Sequence, residues 1–134
     1  AIYLARESTR LTHGAEEALM YSEIFAEEVW DGRILPQYVD YRHPLDIDRD
    51  DVSSGGYVKE TFQAAWWAYQ TTDSFENCII EAINLGDDAD TVGAVAGMIA
   101  GRMYGFDAIP KWMVEGVQWS EHLIDVSKKL VLLN

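Results

Sequence analysis

Apolar residues recur at helical spacing over most of this chain. Ala15, Ala18, Leu19, Ser22, Phe25, Ala26, Val29 and Trp30 lie three or four apart, which predicts a helix with one buried face and a stop at Gly32. Between Arg33 and Gly56 the period is lost. Pro36, Pro44, the acidic run DIDRDD (residues 46–51) and the Ser53-Ser54-Gly55-Gly56 turn predict mostly loop there. A loop of this length inside a small domain is often functional. The period returns over residues 57–71, where Val58, Phe62, Ala65, Trp66 and Tyr69 share a face. Asp73 followed by Glu76 reads as a helix cap. Phe75, Cys78, Ile79, Ala82 and Ile83 carry the next helix. Another is expected from about Asp88 to Tyr104, stopping at Gly105. Pro110 suits the first turn of a short helix, and Ser120 can cap a last one bearing Leu123, Ile124, Ser127, Leu130 and Val131. No segment alternates as a strand does. The expected class is all-α, with residues 1–134 forming one domain.

Charge and composition narrow the function. The net charge is −13, which argues against binding a phosphate backbone, since that needs clustered Lys and Arg. The longest apolar run, Val92 to Ala100, is too short to cross a bilayer. The first residues, AIYLARESTR, lack the basic-then-apolar layout of a signal peptide, so a soluble, cytoplasmic protein is expected. Cys78 is the sole cysteine and leaves no intrachain disulfide. The opening residues enter a helical pattern with no cap before Ile2, Ala5 and Thr9, which suggests material upstream.

The chemistry concentrates in residues 84–105, NLGDDADTVGAVAGMIAGRMYG. Asp88, Asp90 and Thr91 place two carboxylates and a hydroxyl in the first turn of a helix. Magnesium takes oxygen ligands at about 2.0–2.1 Å and often draws only a few from protein. Capping and the helix dipole also favour Asp at a helix start, so spacing alone leaves both readings open. Crowding by Asp87 adds repulsion that a cation would relieve. Further along, Gly93, Gly97, Gly101 and Gly105 recur every four residues. Each interior Gly costs about 1 kcal/mol relative to Ala, so the row implies close helix–helix approach. In the acidic run, Asp46, Asp48 and Asp50 start like a calcium loop. However, Asp51 stands where that loop needs Gly and Tyr57 where it needs Glu, so a solvated loop is expected.

Asn84-Leu85-Gly86-Asp87-Asp88-Ala89-Asp90-Thr91, the Gly/Ala helix and the Tyr104-Gly105 … Ile109-Pro110 … Trp112 ending resemble the C-terminal signature of the ADP-ribosylglycohydrolase family. Ser8-Thr9-Arg10-Leu11-Thr12-His13 resembles the family's Thr-His segment. Ser53 to Val58, followed by Ala64-Ala65-Trp66, resembles its Gly-Tyr loop and following helix. The resemblance covers nearly the whole chain. It implies a compact, orthogonal helical bundle around two magnesium ions, with manganese as the alternative. The implied activity is hydrolysis of the glycosidic bond between ADP-ribose and a protein side chain or small-molecule acceptor. Asp88, Asp90 and Thr91 would be metal ligands, with Asp88 and Asp90 also catalytic. His13, Ser54, Gly55, Gly56 and Tyr57 would bind the ADP-ribose. Members of the family run to roughly twice this length and carry a Thr-Asp-Asp run that is absent here. This predicts the C-terminal portion of the fold, either as a fragment or with its other half in a separate chain, the remaining ligands being supplied by that missing N-terminal half. The competing expectation is an inactive ADP-ribose-binding or crystallin-like structural homologue.

Overall fold

The computed structural model describes residues 2–31 and 47–132. Among these there are seven α-helices and no strand. They are α1 (Ile2–Arg10), α2 (Glu16–Asp31), α3 (Val58–Thr71), α4 (Phe75–Ile83), α5 (Ala89–Tyr104), α6 (Lys111–Gly116) and α7 (Ser120–Val131). Short 3-10 turns stand at Arg49–Asp51 and Phe106–Ala108. The expected stop at Gly32, and the loop residues from 33 to 46, lie outside the described residues.

The central element is α3. Thr61, Phe62, Ala64, Ala65, Trp66, Trp67 and Ala68 are all buried, so its middle is largely enclosed. Large aromatics alternate with alanines there. The alanines let α4 and α5 come close, while Phe62 and Trp66 fill the space towards α2. A chain of ring contacts runs from Tyr21 through Phe62, Trp66 and Tyr69 to Tyr104, with centroids 5.5 to 6.4 Å apart. Such pairs add about 0.5–1.5 kcal/mol each beyond the area they bury.

The glycine row is explained by α4. A Cβ on Gly93 would stand 2.8 Å from Ile83 Cγ2, one on Gly97 3.5 Å from Ile79 Cδ1, and one on Gly101 3.9 Å from Phe75. The absent side chains therefore let α4 lie against α5. The opposite side of α5 is partly open, with Ala94, Met98 and Arg102 exposed, so α3 rather than α5 occupies the bundle centre. Gly105 ends α5 with φ +83°, a conformation that favours glycine.

Several local expectations are corrected. The cap of α4 is Ser74, whose hydroxyl accepts from the Asn77 backbone N–H at 3.2 Å; Asp73 instead accepts from the Asn77 side chain. Ser120 is the first residue of α7, and the left-handed Trp119 (φ +62°) precedes it. In α2 the buried residues are Leu19, Tyr21, Ile24, Glu27 and Glu28, whereas Trp30 is 62% exposed. The face predicted from apolar spacing is thus rotated from the one that meets α3. In α7 the apolar stripe is real but not buried: Leu123, Leu130 and Val131 are exposed, and Leu123 and Val131 share a surface groove with Phe106. No helix among the described residues is long and apolar enough to cross a membrane.

Candidate active site

The site is built where the loop before α3 meets the start of α5. Gly86 (φ +91°) and Asp87 (φ +46°) are successive left-handed residues. Asp tolerates this region better than most residues, because its short side chain can bond locally. The resulting reversal delivers Asp88 to the position just before α5. Its backbone N–H donates to Ser54 O at 3.1 Å, and the Ser54 hydroxyl donates to Gly86 O at 3.3 Å. These two bonds sew the Gly-Tyr loop to the aspartate turn.

Asp88 occupies the cap position without capping, since its carboxylate makes no hydrogen bond to the α5 backbone. Instead Oδ1 accepts from the Thr91 hydroxyl at 2.9 Å. Oδ2 faces Gly56, where a Cβ would come within 2.6 Å. Only glycine lets the loop approach the carboxylate this closely. Asp90, in the first turn of the same helix, is exposed.

A cleft of about 370 Å³ opens beside this junction. Its polar rim includes Thr9, His13, Gly56, Thr61 and Thr91; its floor is apolar, formed by residues such as Tyr21, Phe25, Phe62 and Val95. A concave, largely apolar pocket with a few convergent polar groups is the usual form of a small-molecule site. His13 reaches the rim from the turn after α1. Its backbone N–H donates to Thr9 O at 2.8 Å, and its Nδ1 lies 2.9 Å from the Thr12 hydroxyl.

The predicted residues therefore divide. His13, Gly56 and Thr91 line one cleft, with Asp88 directly against Gly56. Ser54 is buried, and its hydroxyl is engaged with Gly86. Gly55 O accepts from the Thr61 hydroxyl at 2.9 Å, and a side chain there would run into the Glu60 carboxylate. Tyr57 does not line the cleft; its phenol donates to the Glu17 carboxylate across the gap between α3 and α2. That hydrogen bond is the main reason the Tyr57 phenol is held above its usual pKa, with burial and the charges of Glu17 and Glu60 adding to it. Sequence reasoning missed Glu17. An acid in the first turn of a helix is the commonest of arrangements and carries no signal of a distant partner. It also missed Arg49. Its guanidinium donates to Glu81 at 2.6 Å and to Asn84 O, holding the acidic loop against the end of α4 just before the aspartate turn.

The donor set suits a hard cation in part. Two carboxylates and a hydroxyl are all-oxygen ligands of the kind magnesium prefers, and Asp88 Oδ2 is turned away from the helix backbone. Among the described residues no three His, Cys, Asp or Glu side chains converge.

An all-α bundle with a Gly-Asp-Asp-x-Asp-Thr helix start laid against a glycine loop defines an ADP-ribosylglycohydrolase-type fold. The chain belongs to that family: the family model described as ADP-ribosylglycohydrolase matches residues 1–134. It is 33% identical to an ADP-ribosylarginine hydrolase, Tri1, of Pseudomonas putida over 90% of this chain and 37% of that protein. It is 48% identical to the ADP-ribosyl-[dinitrogen reductase] glycohydrolase of Rhodospirillum rubrum over 45% of this chain and 21% of the other. A solved structure described as an ADP-ribosylglycohydrolase-related protein complex superposes with a TM-score of 0.73 at 32% identity, covering 90% of this chain and 49% of that one. The chain thus spans less than half the length of these relatives.

Proposed function

We propose that this chain supplies one wall of an ADP-ribose hydrolase site, in which water cleaves the glycosidic bond between ADP-ribose and its acceptor. The products would be ADP-ribose with a free anomeric hydroxyl and the acceptor with its proton restored. The observation that carries this reading is the apposition of Asp88 Oδ2 and Gly56 at the edge of a cleft that also holds His13 and Thr91. Asp88, Asp90 and Thr91 would hold magnesium, or manganese in its place, and the bound ion would orient the ribose diol and stabilise developing charge. The work of the chain itself is positional. The Thr91 hydroxyl holds Asp88 Oδ1, leaving Oδ2 for the ligand. Gly56 offers backbone without a side chain where the diphosphate or ribose would pass. The apolar floor excludes water beneath a bound ring. Remaining ligands and acid–base carboxylates would come from parts of the family domain that these 134 residues do not include. The substrate would be an ADP-ribosylated protein or small molecule, and the site of action the cytoplasm.

Calorimetric titration of ADP-ribose, first with magnesium and then with EDTA, tests the reading. The expected result is binding that requires magnesium and is lost in Asp90→Ala. Equal affinity of Asp90→Ala and the wild type would remove Asp90 from the ligand set, and no binding in either buffer would overturn the proposal. Magnesium-dependent binding without release of ADP-ribose would fit a wall that binds the ligand and leaves the acid–base step to those other parts of the domain.

A further inference from the structure

The walls of the cleft come from separate helices. His13 and Ala18 flank the start of α2, whereas Gly56 and Val58 flank the start of α3. At the cleft floor these helices meet through Tyr21 and Phe62, packed with Ile24. At the rim, the Tyr57 phenol donates to the Glu17 carboxylate, 40 residues away in sequence. Neither side chain lines the cleft, so the bridge ties the walls together from outside rather than blocking the opening. Tyr57 is also the residue before α3, with extended backbone (φ −74°, ψ 132°), directly following Gly56. Anchoring its ring therefore fixes the backbone that lies against Asp88.

We infer that Glu17 is a positioning residue: by holding Tyr57 it sets the spacing between the His13 wall and the Gly56–Asp88 junction, and so the affinity for ADP-ribose. This rests on the proposal that the cleft takes ADP-ribose. Glu17 also lies in the first turn of α2, where a negative charge helps the helix dipole. A purely structural role would depend on that charge. The bridge depends only on a hydrogen-bond acceptor, which glutamine retains.

The test measures ADP-ribose affinity in the presence of magnesium for the wild type, Glu17→Ala, Glu17→Gln, Tyr57→Phe and the double variant Glu17→Ala/Tyr57→Phe. Loss of one hydrogen bond that orders a binding wall should weaken affinity about tenfold in Glu17→Ala and in Tyr57→Phe. The double variant should be no weaker than either single one, because both remove the same bridge. Glu17→Gln should stay within about twofold of the wild type. Additive losses in the double variant, a Glu17→Gln as weak as Glu17→Ala, or unchanged affinity in Glu17→Ala would each overturn the inference while the ADP-ribose reading stands. A wild type that binds no ADP-ribose would overturn both. In that case the spectrophotometric titration of Tyr57, shifted downward in Glu17→Ala, would show that the bridge exists without that role.

Discussion

Replacing Gly56 by alanine separates stability from ligand affinity. The new Cβ would stand 2.6 Å from Asp88 Oδ2 and 3.5 Å from Asp88 Cγ. Ordinary carbon–oxygen contacts lie at about 3.3–3.6 Å, so the carboxylate has to withdraw by roughly 0.8 Å. It can do so, because Asp88 is a short side chain whose carboxylate, among the described residues, is held by the Thr91 hydroxyl. Gly56 is not a positive-φ residue, so alanine fits the backbone without strain. Its restriction of the unfolded chain contributes about 0.4–1 kcal/mol towards stability, which offsets the cost of moving the carboxylate. The melting temperature should therefore change by no more than about 3 °C. Affinity should behave differently. A misplacement near 1 Å at a positioned group costs about 100-fold, and the fraction expected here is a 10- to 100-fold loss of magnesium-dependent ADP-ribose binding. Thermal unfolding followed by circular dichroism at 222 nm, set beside calorimetry, measures both. A Gly56→Ala protein that binds like the wild type would refute the claim that this contact matters. One that loses several degrees of stability would show that the loop tolerates the side chain less well than the geometry states.

The glycine row gives a prediction of opposite signs within one helix. Gly97→Ala meets Ile79 at an ordinary 3.5 Å and should stabilise by about 0.5–1 kcal/mol through helix propensity, whereas Gly93→Ala presses on Ile83 Cγ2 at 2.8 Å and should lose about 1 kcal/mol net through overpacking. Urea unfolding checks the pair; Gly93→Ala at least as stable as Gly97→Ala would refute the close approach of α4 and α5. Burial pushes the Cys78 thiol up from 9.0 to about 11, against an opposing hydrogen bond with Thr72. The folded pKa exceeds the unfolded one, so this contribution to stability is complete below pH 9 and is lost as pH rises towards 11. The urea midpoint should fall over that range, and Cys78→Ala should lack that part of the slope. A thiol reagent at pH 8 should label Cys78 only after unfolding; rapid labelling of the native protein would contradict its burial.

What was legible in the sequence follows from which interactions are local. Helices α3, α4 and α5 were predicted to within about a residue of their ends, since periodicity and the Gly105 stop are properties of neighbouring residues. The meaning of the glycine row was also legible, because a repeated local cost implies some compensating contact. The buried side of α2 was not. That helix meets α1 as well as α3 and α5, and it buries Glu27 and Glu28, which no apolar pattern reports. The stripe on α7 shows the converse: amphipathic spacing predicts a face able to be buried, not one that is. In the candidate site, the motifs nominated Asp88 and Gly56 separately; their contact joins residues 32 apart and depends on the Gly86–Asp87 reversal. The Tyr57 result goes further. A tyrosine beside a glycine loop invites the expectation of a ring lying on the ligand, yet its phenol is committed to Glu17. Sequence could nominate the residue. Only the relative placement of α2 and α3 shows that its phenol meets Glu17, a contact on which the proposed positioning role of Glu17 rests.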